Sequence, residues 1–159
     1  MSINIHPATV HFPIAFLLLA NGAGLLYLYW RPLPILHSLT WWPMRLGWLA
    51  TLVAIFTGLL AQSPLPPQAS YRPILNWHIT TGLALWVLYG LILYWQWLLH
   101  SRSQRRHKAT TAIVPADLLQ WPAARVRLTL LLLLGSALIL VSGWNGGQLV
   151  YKWGVNVLQ

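Results

Sequence analysis

The segment His6-Pro7-Ala8-Thr9-Val10-His11-Phe12-Pro13 sets two imidazoles where a long apolar run begins, and His78 opens another such run directly after Trp77. Imidazole is the only strong metal ligand here, because the chain has no cysteine and Asp117 is its single acidic residue. Disulfides and thiolate-held zinc or iron–sulfur sites are thereby excluded. Any chemistry is histidine chemistry, or belongs to a cofactor that histidine holds. No catalytic set is expected, since Asp117 falls on the side of the chain opposite these histidines and a Ser-His-Asp arrangement has no carboxylate to use.

Something must position those rings, and the composition places that scaffold in lipid. Of 159 residues, 57% are hydrophobic and 7% are charged, whereas soluble domains carry about 25% charged residues. The expected fold is all-α, an integral membrane four-helix bundle forming a single domain over residues 1–159. Helices are predicted at about 7–30, 42–62, 74–99 and 123–144 or longer.

Local signals refine those spans. Pro7 suits a first helical turn, while Pro13 predicts a kink just inside the membrane. Asn21, Gly22 and Gly24 mark a face of the first helix packed on protein rather than lipid. Trp41-Trp42-Pro43 reads as an interfacial anchor and the start of the second helix, whose Gly47, Ala50, Ala54 and Gly58 form a small-residue stripe for close packing. The proline-dense stretch from Ser63 to Pro73 is an extended loop. Asp117 to Trp121 is expected as a short turn on the membrane surface, and His37, His100 and His107 as solvated loop histidines.

The net charge of +9 is topogenic rather than a nucleic-acid footprint, because the cations flank apolar runs. With alternating helices, one side holds Arg31, Arg45, Arg102, Arg105, Arg106, Lys108, Arg125 and Arg127, and the other only Arg72 and Lys152. That asymmetry places the first side in the cytoplasm of a bacterial inner membrane and both termini outside. No basic residue precedes the first apolar run, so that run is expected to stay in the mature protein.

On this topology His6, His11 and His78 share the outer face with Arg72, Tyr71, Trp77 and the Gly146-Gly147 end of the fourth helix. His11 and His78 each lie roughly 6 Å inside their helix starts at about 1.5 Å per residue. Two imidazoles at matching depth on different helices are what axial haem ligation requires. Gly82, one turn after His78, leaves room for a flat macrocycle, and Arg72 or Lys152 could pair with propionates. Interfacial histidines that only hydrogen-bond backbone or water occupy the same depth, so position alone leaves both readings open.

The opening His6-Pro7-x-x-Val10-His11-Phe12-Pro13, Thr57-Gly58-Leu59, His78 and the closing Gly146-Gly147-x-Leu149-Val150-Tyr151-x-x-Gly154-Val155 together resemble the DUF2231 family of bacterial membrane proteins. The likeness spans nearly the whole chain and implies four membrane helices. Fusions of family members to Rieske or cytochrome domains imply redox work. The resemblance marks His6, His11, His78, Gly146, Gly147 and Tyr151 as site residues. An acidic residue often follows the second-helix glycine motif in that family, whereas this chain has Gln62 in that region.

Two functions follow. The first is a membrane-embedded electron-transfer subunit, cytochrome b-like, in which His11 and His78 are axial ligands of haem b and His6 is a supporting or alternative ligand. A chlorophyll-type pigment or a metal ion is the other cofactor class such a site could take. The second is a cofactor-free accessory subunit of a respiratory or photosynthetic membrane complex, suggested by eleven tryptophans and small-residue stripes that need helix partners. Either is an electron-transfer or accessory role rather than a stand-alone enzyme, with lipid, other membrane subunits or a redox protein as partners and no nucleic acid. A transporter is disfavoured by the lack of an acidic residue within any membrane segment and of an inverted repeat.

Overall fold

A computed structural model describes residues 5–107 and 116–155, side chains of 106 and 107 excepted, and every regular element among them is a helix. The order is α1 (His6–Thr9), α2 (His11–Tyr29), α3 (Pro34–Gln62), α4 (Arg72–His107), two 3-10 turns at Leu118–Gln120 and Pro122–Ala124, and α5 (Arg125–Tyr151). Four spans are long and apolar enough to cross a bilayer, the first combining α1 and α2. The protein is an all-α membrane four-helix bundle. Helix α2 runs along α3 and α4 along α5, and the two hairpins join through α2 with α5 and α3 with α4.

The expected kink is present. Pro13 has no N–H for the carbonyl of Thr9 and its ring crowds that group, so the helix breaks at Val10 between α1 and α2. Pro7 sits in the first turn of α1 as its missing donor allows.

Helix α3 departs from its predicted start. It begins at Pro34 rather than near 42, because Pro34 supplies a preset first turn and Pro43 is carried inside the helix. Trp41 is consequently a core residue at 4% exposure, while Trp42 at 62% keeps the outward position expected of an anchor. Helix α4 likewise extends past 99 through the basic run to His107.

The dense core occupies the middle and the basic end of the bundle. Leu17, Met44, Tyr89, Ile92, Leu118, Leu128 and Leu132 are each at most 1% exposed. Close approach there is set by Gly47, where an added Cβ would lie 2.7 Å from Leu17 Cγ, and by Gly24, where it would meet Leu132 Cδ1 at 3.0 Å. Asn21 ties three helices together through Nδ2, which lies 2.8 Å from Tyr89 Oη, 2.8 Å from Ser136 Oγ and 3.1 Å from the Leu132 carbonyl. Gly22 departs from its expected place on that face and points outward, with nothing within 4 Å of a Cβ there.

The sole carboxylate is also placed differently from the surface turn expected of it. Asp117 is buried: Oδ2 accepts from Gln96 Nε2 at 2.8 Å and pairs with His37 Nε2 at 2.9 Å, and Oδ1 accepts the Leu119 N–H at 2.8 Å. Gln96 Oε1 in turn accepts the Leu118 N–H at 2.8 Å. This clasp drives Leu118 and Leu119 into the bundle and closes its basic end. His37 is thus engaged rather than solvated, its ring edge-on to Tyr27 at 6.0 Å. His100 is exposed as expected, and the His107 side chain lies outside the described residues.

Candidate functional site

Opposite that sealed end the bundle is hollow. A cavity of about 530 Å³ lies between the two hairpins, lined by α1, the start of α2, the last turns of α3 and α5 and the first turns of α4. Most of its wall is aliphatic, from Ile14, Leu17, Ile55, Leu75, Ile79, Leu85 and Ile139. The polar groups on it are few: His6, His11, Thr51, Gln62, His78, Ser142 and the Tyr151 hydroxyl.

Two of the histidines face one another. The rings of His6 and His78 have centroids 6.1 Å apart and planes at 76°. The first turn of α1 carries His6 across to α3, where Nδ1 lies 3.1 Å from Thr57 Oγ1. The Thr9 hydroxyl donates to the His6 carbonyl at 2.9 Å and that of Thr57 to the Ala54 carbonyl at 3.1 Å. The Thr9 and Thr57 hydroxyl oxygens lie 3.1 Å apart, so His6, Thr9 and Thr57 form one hydrogen-bonded cluster. His78 Nδ1 donates to the Ser142 carbonyl across the α4–α5 interface at 3.0 Å. The neutral ring of His78 is therefore the Nδ1–H tautomer, with Nε2 as its lone-pair nitrogen.

Two glycines give the imidazoles their seats. A Cβ at Gly58 would meet His6 Cε1 at 2.9 Å, and one at Gly146 would meet His78 Cε1 at 3.0 Å. No other residue allows the rings to lie this close to the helix backbones. Gly82, Gly143 and Gly147 also line the cavity, and a Cβ on any of them would find nothing within 4 Å. They keep volume open where the first two hold side chains in place.

The remaining sequence-predicted residues divide by position. His11 lines the cavity but is exposed at its rim, and the ring across from His78 is that of His6. Tyr151 is also on the rim, 92% exposed. Arg72 is not part of the wall: its Nε donates to the Pro66 carbonyl at 2.8 Å and its Nη2 to that of Leu65, so it braces the proline loop. Sequence reasoning missed Thr57 and Ser142 as partners of the two rings. The signal for Thr57 was there, since it opens the Thr57-Gly58-Leu59 motif already singled out; that for Ser142 was not, because its backbone carbonyl does the work.

A family model described as a predicted membrane protein (DUF2231) matches residues 2–159. The chain belongs to the DUF2231 family. No curated protein and no solved structure matches it. The ring-seating glycines of this DUF2231 protein, Gly58 and Gly146, fall within two of the motifs that carried the resemblance, and His6 and His78 within the others.

The donor set limits what the site can hold. Among the described residues no group of three or more His, Cys, Asp or Glu side chains converges as a metal site. A protein-caged zinc ion, which takes three or four such ligands, has no match here. A metal already held by a macrocycle needs only one or two axial imidazoles, and two are present.

Proposed function

We propose that this protein is a membrane-embedded electron-transfer subunit whose cavity takes haem b, with His78 and His6 as its axial ligands. The observation that carries the reading is the facing pair at 6.1 Å. His6 on α1 and His78 on α4, at that spacing, would hold a metal already carried by a macrocycle, which would supply one-electron chemistry. His11 at the rim is then a neighbour rather than a ligand, and the pairing is His6 with His78.

The chain's own groups suit that role. Donation from His78 Nδ1 to the Ser142 carbonyl fixes the ring's orientation and raises the basicity of Nε2. Thr57 anchors the His6 ring through its Nδ1. Gly58 and Gly146 hold both rings against the helices, and the aliphatic wall excludes water and lowers the local dielectric. Haem supplies one-electron chemistry when bound, and the protein supplies ligands, orientation and a dry enclosure. Seen this way, the subunit passes electrons at the face that carries both ends of the chain, the outer face by the distribution of basic residues.

The test is an absorption spectrum of the purified protein, oxidised and dithionite-reduced, after expression with ample haem. A sharp reduced α band is expected in the wild type. His78→Ala and His6→Ala should each remove it or leave a high-spin, five-coordinate remnant, whereas His11→Ala should preserve it. Loss in His11→Ala with retention in His6→Ala would reverse the pairing. Wild-type protein without haem, pigment or metal would refute the redox reading and leave a cofactor-free accessory subunit.

A further inference from the structure

At the basic end a second cavity, of about 460 Å³, opens between the end of α2 and the start of α5. Its walls are Tyr27, Tyr29, Trp30 and Trp121 with Leu28 and Leu119 beneath them, and Arg125 stands in it. We infer that this cavity is a binding site for the phosphate headgroup of an anionic phospholipid, with Arg125 as its cation.

Depth comes first. Helix α2 ends at Tyr29 and α5 begins at Arg125, so the cavity lies where two membrane spans reach water. Trp30 is 66% exposed there, at the level where aromatic rings accompany headgroups. The aliphatic floor accepts the glycerol and upper acyl carbons, and the rings wall the polar part.

Charge decides the ligand. The guanidinium of Arg125 lies 4.3 Å from the centre of the Tyr29 ring, and Tyr29 Oη is fixed at 2.9 Å from Thr129 Oγ1. Contact with the ring face restrains the guanidinium at the cavity, and a guanidinium offers paired N–H donors suited to phosphate oxygens. Arg31, over the ring of Trp30 at 5.8 Å, adds positive charge beside the opening. No protein carboxylate balances these cations, because the only one, Asp117, is consumed by His37, Gln96 and the Leu119 N–H. Among the described residues the only ion pair is His37 with Asp117. The counter-anion therefore comes from outside the chain, and at this depth the abundant one is a lipid phosphate.

Native mass spectrometry of the delipidated full-length protein, titrated with phosphatidylglycerol or with phosphatidylcholine of the same acyl chains, tests this. One tightly held phosphatidylglycerol is expected, with phosphatidylcholine weaker. Arg125→Gln should weaken phosphatidylglycerol about fivefold, the scale of one cation at an anionic surface, while Arg45→Gln, on the lipid-facing side of α3, should leave it unchanged. Equal affinity for the two lipids, or an Arg125→Gln protein that binds as the wild type does, would overturn the assignment. So would displacement of the lipid by millimolar inorganic phosphate, since the site would then read a free anion. Thermal melts of both variants without lipid show that each is folded before binding is compared.

Discussion

Gly146→Ala and Gly82→Ala are the same chemical change on two helices that line one cavity, yet they should shift stability in opposite directions. Alanine is favoured over glycine inside a helix by about 0.8–1.0 kcal/mol, and that gain applies to both. At Gly82 the new methyl meets nothing within 4 Å, so the gain stands. At Gly146 it arrives 3.0 Å from His78 Cε1 and 3.4 Å from Nδ1, where ordinary contact begins near 3.4 Å. The ring must withdraw by a few tenths of an ångström, which lengthens its 3.0 Å bond to the Ser142 carbonyl. Overpacking costs about 1–3 kcal/mol and a weakened hydrogen bond about 0.5–1.5 kcal/mol. Set against the propensity gain, Gly146→Ala should lose about 1–3 kcal/mol while Gly82→Ala gains up to about 1 kcal/mol. Gly58→Ala should fall between them, since His6 is carried on the single turn of α1 and yields more easily than a ring inside α4. Gly135→Ala should be the worst of the series, because its Cβ would come 2.8 Å from Cζ of Tyr89, a fully buried ring pinned by Asn21. Parallel unfolding of the four variants in one detergent gives the order. If Gly146→Ala and Gly82→Ala move together, the seating of His78 on Gly146 is wrong.

Asp117→Ala removes the acceptor of His37, Gln96 and the Leu119 N–H at once and should destabilise by about 2–4 kcal/mol in a detergent melt, with Asp117→Asn milder because its amide oxygen still accepts the Leu119 N–H. For orientation, the exposed positions Ser70 and Gln104 take cysteine: an impermeant thiol reagent on intact cells should label Ser70→Cys and spare Gln104→Cys, and the reverse pattern would invert the topology.

What the sequence disclosed follows from which interactions are local. The four spans were legible because a run of about twenty apolar residues has one use in a bilayer. The break at Val10 was legible because Pro13 acts on the carbonyl of Thr9, four residues back in the same chain. The clasp around Asp117 was not, since it joins residues 37, 96 and 117, which no spacing rule connects. His37 looked solvated for the same reason: Pro32 and Pro34 made its surroundings read as a loop, and its partner lies 80 positions away. Matched helical depth singled out His11 beside His78, whereas the ring 6.1 Å from that of His78 belongs to His6, which α1 sets against Thr57 of α3.

The two ends of the bundle are filled by opposite means, and this bears on whether the histidine cavity is a packing defect or a built space. At the basic end the chain spends a buried carboxylate to hold Leu118 and Leu119 in the core, although an unpaired charge there would cost several kcal/mol. At the other end Gly82, Gly143 and Gly147 all stand where an added Cβ would meet nothing within 4 Å, so each forgoes the helix gain of alanine, about 0.8–1.0 kcal/mol. Those three positions give up stability without a packing reason, while Gly58 and Gly146 seat the imidazoles against their helices. That pattern is expected of a built space rather than of a packing defect.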